Sequence, residues 1–127
     1  MIIKEIFPAF EDDRGAITDI LTHTDVDSVT IITCNEGSIR ANHFHKESIQ
    51  YSYVLSGEIK AFSQMEEKEV ETCILKAGQM LESPPLERHA LHAVKDSTLL
   101  IITKGPRGGK NYEDDTFRVD PLHLKVK

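Results

Sequence analysis

Apolar residues in this chain come in short runs that end at turn residues, and no stretch holds a 3.6-residue period. Ile2–Phe7 stops before Pro8, and Ala16–Leu21 follows the polar turn Glu11-Asp12-Asp13-Arg14-Gly15. Val29–Cys34 is apolar and β-branched, as expected of a strand buried on both faces. Ile49–Ser56 and Glu58–Gln64 flank Gly57, and the charged Glu66-Glu67-Lys68-Glu69 forms a hairpin tip before Val70–Lys76. Met80–Ser83 halts at Pro84-Pro85, His89–Val94 and Thr98–Thr103 supply the last strong strands, and Phe117-Arg118-Val119 is a further short candidate in a polar tail, Asn111–Lys127. Strands at this spacing, separated by turns, predict an all-β sandwich or barrel with little helix. At 127 residues the chain suits one domain spanning residues 1–127 around one core.

Composition narrows the partners. Fifteen Lys+Arg against 21 Asp+Glu give a net charge of −6, without the basic footprint that drives phosphate-backbone binding, so no nucleic-acid partner is expected. No apolar run approaches the ~18–20 residues of a bilayer span, and Met1-Ile2-Ile3-Lys4-Glu5 lacks a signal-peptide core, so neither a membrane nor secretion is expected. Cys34 and Cys73 are isolated and lack any framework spacing, which predicts reduced, buried thiols in a cytoplasmic protein.

The chemistry concentrates in His43-Phe44-His45. Residues i and i+2 of a strand share a face, so the two imidazoles make half a metal site. Alone, an HxH more often marks two exposed histidines. Here Gly37 and Gly57 bracket it, Gln50 lies five residues beyond His45, and far downstream Gly78, Pro84 and His89 place a third imidazole after a Pro-stopped turn.

These residues resemble the two cupin motifs. The first, G-x5-H-x-H-x4-E-x6-G, is matched by Gly37, His43, His45, Gln50 and Gly57, with Gln for the usual Glu. The second, G-x5-P-x-G-x2-H-x3-N, is matched by Gly78, Pro84 and His89, with Leu86 for its second Gly and Ala93 for its Asn. The resemblance implies a jelly roll, the double-stranded β-helix, and a metal held between its sheets by His43, His45, Gln50 and His89. Three imidazoles and a neutral amide oxygen suit Zn²⁺, Ni²⁺ or Fe²⁺ better than Mg²⁺. Gln50 alternatively serves only as a hydrogen-bonding group in the barrel, and Glu47 is the nearest carboxylate that a local irregularity would bring in.

Ile39-Arg40-Ala41-Asn42-His43-Phe44-His45-Lys46 with Gln50 is more specific still. It is similar to the small cupins of nucleotide-sugar and surface-polysaccharide pathways: ketosugar isomerases with R-G-x-H-x-H-K, and capsule-synthesis cupin domains with R-G-N-H-Y-H. Phe10-x-Asp12-Asp13-Arg14-Gly15 resembles a stretch near the start of deoxysugar epimerases and isomerases. Ala41 stands where these patterns carry Gly. The resemblance implies an isomerase or epimerase of a keto-sugar, with a sugar or sugar nucleotide as partner. Other readings are a dioxygenase, a phosphosugar isomerase, or a non-catalytic cupin that binds a sugar or small acid.

A ketone acidifies its neighbouring C–H bonds, so the reaction needs a base, a group to steady the enediolate, and an acid. His45 or His92 are candidates for the base, and Tyr51 or Tyr53 for the acid. Strand parity qualifies this: with Gln50 inward, Tyr51, Tyr53 and Leu55 point outward, onto a neighbouring strand or onto a second subunit in a homodimer. His92 either lines the cavity mouth or caps a polar edge. Arg14 and Arg40 are the guanidiniums suited to a diphosphate, although Arg14 has Asp12 and Asp13 as competing partners in its own turn.

Overall fold

A computed structural model describes residues 1–106 and 109–122. The expected strands form. β1 (Ile2–Glu5), β9 (Gln79–Ser83), β6 (Ile49–Ser56), β11 (Ser97–Lys104) and β4 (Ser28–Cys34) build one sheet in that order. β12 (Phe117–Arg118), β5 (Ile39–Phe44), β10 (Arg88–Ala93), β7 (Glu58–Gln64) and β8 (Glu71–Lys76) build the second. Every pairing is antiparallel. β2 (Phe10–Asp12) and β3 (Gly15–Ile17) form a separate hairpin, and a short helix α1 (Gly109–Asp114) precedes β12. This is the all-β architecture that the strand spacing predicted, in the jelly-roll form that the motif resemblance implied.

The two sheets face each other across one core. Val54, Leu81, Leu99 and Ile101 from the first sheet meet Ile59, Ala61, Leu75, Leu91 and Ala93 from the second, and none of the nine is more than 7% exposed. Fully burying one aliphatic side chain contributes roughly 1.5–3 kcal/mol, so this layer is the main source of cohesion. Each outer face has its own cover. Tyr51, Met80 and Ile102 pack outside the first sheet under Ile6, Ile20 and Leu21, whereas Phe62 and Ala90 pack outside the second under Val70, Val119 and Leu122.

One expected element differs. β4 is an edge strand buried on a single face: Val29 and Ile31 are 62% and 65% exposed, while Ile32 packs on the core. Its continuous apolar run suggested two covered faces, but among the described residues no element lies over the outer one. Gly57 (φ +94°) joins β6 to β7 at a close approach, since a Cβ there would collide with Ser97 Oγ and come within 2.6 Å of the Asp96 carbonyl oxygen. Cys34 is buried, Cys73 is half-buried, and both are free thiols.

Candidate metal centre

β5 carries His43 into the space between the sheets, and β10 runs beside it with His89 directly opposite. The register then slips: Ala90 pairs with Ala41, so Asn42 is the extra residue of a β-bulge. Ala41 (φ +72°) and Asn42 (φ +58°) are both left-handed. The bulge matters for the site. His43 and Arg40 are three residues apart, and an unbroken strand would send them to opposite faces. With one residue looped out, both line the same cavity.

His45 follows immediately after β5. Phe44 points away and stacks on Phe117 (5.2 Å between ring centroids), so His45 returns to the face of His43. The imidazole centroids lie 4.7 Å apart for His43–His45, 4.7 Å for His43–His89 and 5.5 Å for His45–His89. One ring nitrogen from each falls within 4.8 Å of the others, and all three residues are at least 93% buried. Those three nitrogens would hold a divalent transition metal.

The ring nitrogens have divided roles. His45 Nδ1 lies 2.8 Å from the Asp115 carbonyl oxygen and His89 Nδ1 lies 3.3 Å from that of Glu87. A carbonyl only accepts, so in both contacts Nδ1 carries the proton, and Nε2 is the ring nitrogen left to a metal. Burial, reinforced by the neighbouring His45, lowers the His89 pKa from 6.5 to about 4, against a smaller opposing effect of the Glu87 carbonyl. His89 is therefore neutral at pH 7, and its Nε2 is buried without a hydrogen-bond partner among the described residues. An orphaned lone pair beside two further imidazoles fits a borderline-soft divalent ion.

The rest of the cavity, about 180 Å³, is lined by Gln50, Ser52, Arg40, Tyr112 and an apolar wall of Ile32, Leu91, Leu99 and Ile101. Gln50 is 5% exposed and its Nε2 has no partner among the described residues, so it faces the cavity beside His43 and His89. Glu47 is exposed and outside it. Arg40 lines the mouth and donates from Nη2 to the Thr33 carbonyl oxygen at 3.0 Å. Tyr112, on α1, sets its ring 5.3 Å from that of His45 and 6.4 Å from that of His43. Sequence reasoning missed Tyr112, because six residues of helix carry too little periodicity to stand out from a polar tail.

Three expected site residues lie elsewhere. Tyr53 packs with Tyr51 on the outer face of the first sheet, as strand parity demanded, and does not reach the cavity. His92 alternates with His89 and Leu91, so it faces outward on the second sheet between Lys60 and Ile39. Arg14 is exposed in the β2–β3 hairpin, where Nε and Nη2 bond Asp12 Oδ2 at 2.9 and 2.6 Å and hold that carboxyl below its ordinary range.

A jelly roll with an HxH at the end of one strand and a third histidine opposite it on the neighbouring strand has the architecture of a cupin. The comparisons agree and are more specific. The family model of the polysaccharide biosynthesis C-terminal domain matches residues 10–117, and the chain belongs to that family. Among solved structures, QdtA, a sugar 3,4-ketoisomerase from Thermoanaerobacterium thermosaccharolyticum in complex with TDP, superposes with a TM-score of 0.77 at 20% identity, covering 93% of this chain and 87% of that one. The epimerase RmlC from Legionella pneumophila, in complex with dTDP-4-keto-L-rhamnose, gives 0.78 at 12% identity, with 97% and 74% covered. The capsular polysaccharide assembling protein CapF from Staphylococcus aureus gives 0.66 at 17% identity, with 91% of this chain and 34% of that one covered. Curated proteins yield no match. Among the described residues, no helix is long and apolar enough to cross a membrane.

Proposed function

We propose that the chain is a metal-binding isomerase or epimerase acting on the keto group of a nucleotide-linked sugar in polysaccharide biosynthesis. The observation that carries this reading is the convergence of three buried imidazoles, two of them lining a cavity that also offers a phenol and a guanidinium. Its family membership and the ligands of QdtA and RmlC support the substrate class.

His43, His45 and His89 would hold a Zn²⁺, Ni²⁺ or Fe²⁺ ion, with the Gln50 amide beside them. Such an ion supplies Lewis acidity to a carbonyl oxygen. With its Nδ1–H donated to the Asp115 carbonyl oxygen, His45 would offer Nε2 as a ligand rather than serve as the base. Tyr112 is then the cavity group that returns a proton to the carbon beside the ketone from its phenol, and that takes one from it only as the phenolate. Arg40, at the mouth, takes phosphate oxygens in its fork once it releases the Thr33 carbonyl. The wall of Ile32, Leu91, Leu99 and Ile101 keeps water from the sugar ring.

One observation favours a second reading, a cupin that binds a sugar without turning it over: among the described residues no carboxylate lines the cavity. Incubating the protein with a panel of 4-keto deoxysugar nucleotides in D₂O separates the two. Catalysis predicts deuterium beside the ketone with at least one of them, abolished in His89→Ala and reduced at least tenfold in Tyr112→Phe. No exchange with any member overturns the enzyme reading.

A further inference from the structure

Asp115 is 95% buried, and almost everything it touches belongs to the segment that begins at His45. Its carboxylate accepts from the backbone N–H groups of Lys46 (2.9 Å), Glu47 (3.1 and 3.2 Å) and Ser48 (3.0 Å), and from Ser48 Oγ (2.9 Å). Its own carbonyl oxygen accepts from His45 Nδ1 at 2.8 Å. Its N–H donates to the Tyr112 carbonyl oxygen at 3.1 Å, so the same residue ends the helix that lays Tyr112 over the imidazoles. Ser48 is gripped from the other side as well: Gly105 packs so closely that a Cβ there would come within 2.9 Å of the Ser48 Cα.

We propose that Asp115 is a positioning residue for His45, holding the imidazole in its Nδ1–H tautomer so that Nε2 is the nitrogen offered to the cluster of His43 and His89. The two halves of the residue cooperate. The carboxylate clamps the three residues after His45, and the clamped loop brings the ring under the Asp115 carbonyl, where only Nδ1–H makes a hydrogen bond. Neither half suffices alone, because every residue has a carbonyl but only an anchored one keeps its direction. A ligand's outer hydrogen bond fixes its ring orientation and raises its basicity, and losing such a partner typically weakens metal affinity 10–100-fold. The consequence for metal affinity rests on the function proposed above. The tautomer does not.

The test uses ¹⁵N-labelled, metal-free protein and long-range ¹H–¹⁵N spectra of the imidazole rings. The wild type should show His45 protonated at Nδ1 and bare at Nε2. Asp115→Ala should give a mixture of tautomers and, by competition with a chromophoric chelator, a zinc affinity 10–100-fold lower. Asp115→Asn, which keeps one side-chain acceptor, should fall between wild type and alanine, and it decides the matter if the alanine variant does not fold. Met80→Ala, on the outer face of the first sheet, loosens the packing without touching His45 and should leave the tautomer unchanged. The proposal is overturned if Asp115→Ala and Asp115→Asn melt at lower temperature yet keep the wild-type tautomer and zinc affinity. Failure of every form, wild type included, to bind zinc would remove the metal reading, and the spectra would still decide the positioning role.

Discussion

Replacing Ala41 by Gly and by Val inverts the order of stability expected for a strand residue. In regular β-structure, Val is favoured over Ala and Ala over Gly, across about 1 kcal/mol. Ala41 instead sits at φ +72°, inside the bulge of β5. A left-handed backbone costs an L-residue roughly 1–2 kcal/mol, and a β-branched side chain more. Gly removes that strain but orders a floppier unfolded chain, at about 0.4–1 kcal/mol, and gives up a half-buried methyl, at about 0.4 kcal/mol. The net gain for Ala41→Gly is therefore about 0.5 kcal/mol, or about 2 °C in Tm for a domain of this size. Ala41→Val should lose about 2 kcal/mol. Leu86 has the same φ, +72°, but its side chain is 53% exposed, so Leu86→Gly trades strain for lost packing and should be nearly neutral.

Thermal melts and urea titrations of the metal-free variants measure this, with Gly57→Ala as a control that must be strongly destabilising, given its φ of +94° and the backbone of Asp96 and Ser97. The ranking Val above Ala above Gly at position 41 would refute the bulge. It would also remove the reason that Arg40 shares a face with His43, and with it the phosphate role given to Arg40.

Two further outcomes follow from the histidines. His43→Ala and His89→Ala should each abolish stoichiometric metal in purified protein, read by elemental analysis, while the β-type circular dichroism persists; unchanged metal content would break the ligand assignment. Metal-free protein should weaken in mild acid. The unfolded chain takes up a proton at His89 near pH 6.5, the folded one near pH 4, so the unfolded state binds more protons in between and stability rises with pH across that window. The contribution is complete above about pH 6.5, and about 3 kcal/mol is lost by pH 4. His89→Gln should flatten the dependence of the urea midpoint on pH, and an equally steep curve in that variant would place the titrating group elsewhere.

What the sequence reveals, and what it hides, follows from one distinction. Parity within a strand is local, so His43 and His45 sharing a face, and Tyr51 and Tyr53 turning away from Gln50, are readable from spacing alone. Whatever breaks parity or arrives from another element is not. The bulge at Ala41-Asn42 puts Arg40 on the face that counting assigns to its neighbours, and only Ala and Asn standing at a glycine-like position hint at it. β4 looks doubly buried because composition reports how apolar a strand is, not how many layers cover it. Asp115 closes the run Glu113-Asp114-Asp115, which reads as a solvated acidic stretch until the fold brings it to the residues after His45, some 70 positions earlier. The metal ligands are thus written as a pattern, while the groups that aim them are written only as contacts. Grafting His43, His45, Gln50 and His89 onto another jelly roll would therefore carry over the donor atoms without their aim, and a graft that also supplied the Asp115 clamp should bind zinc the more tightly of the two.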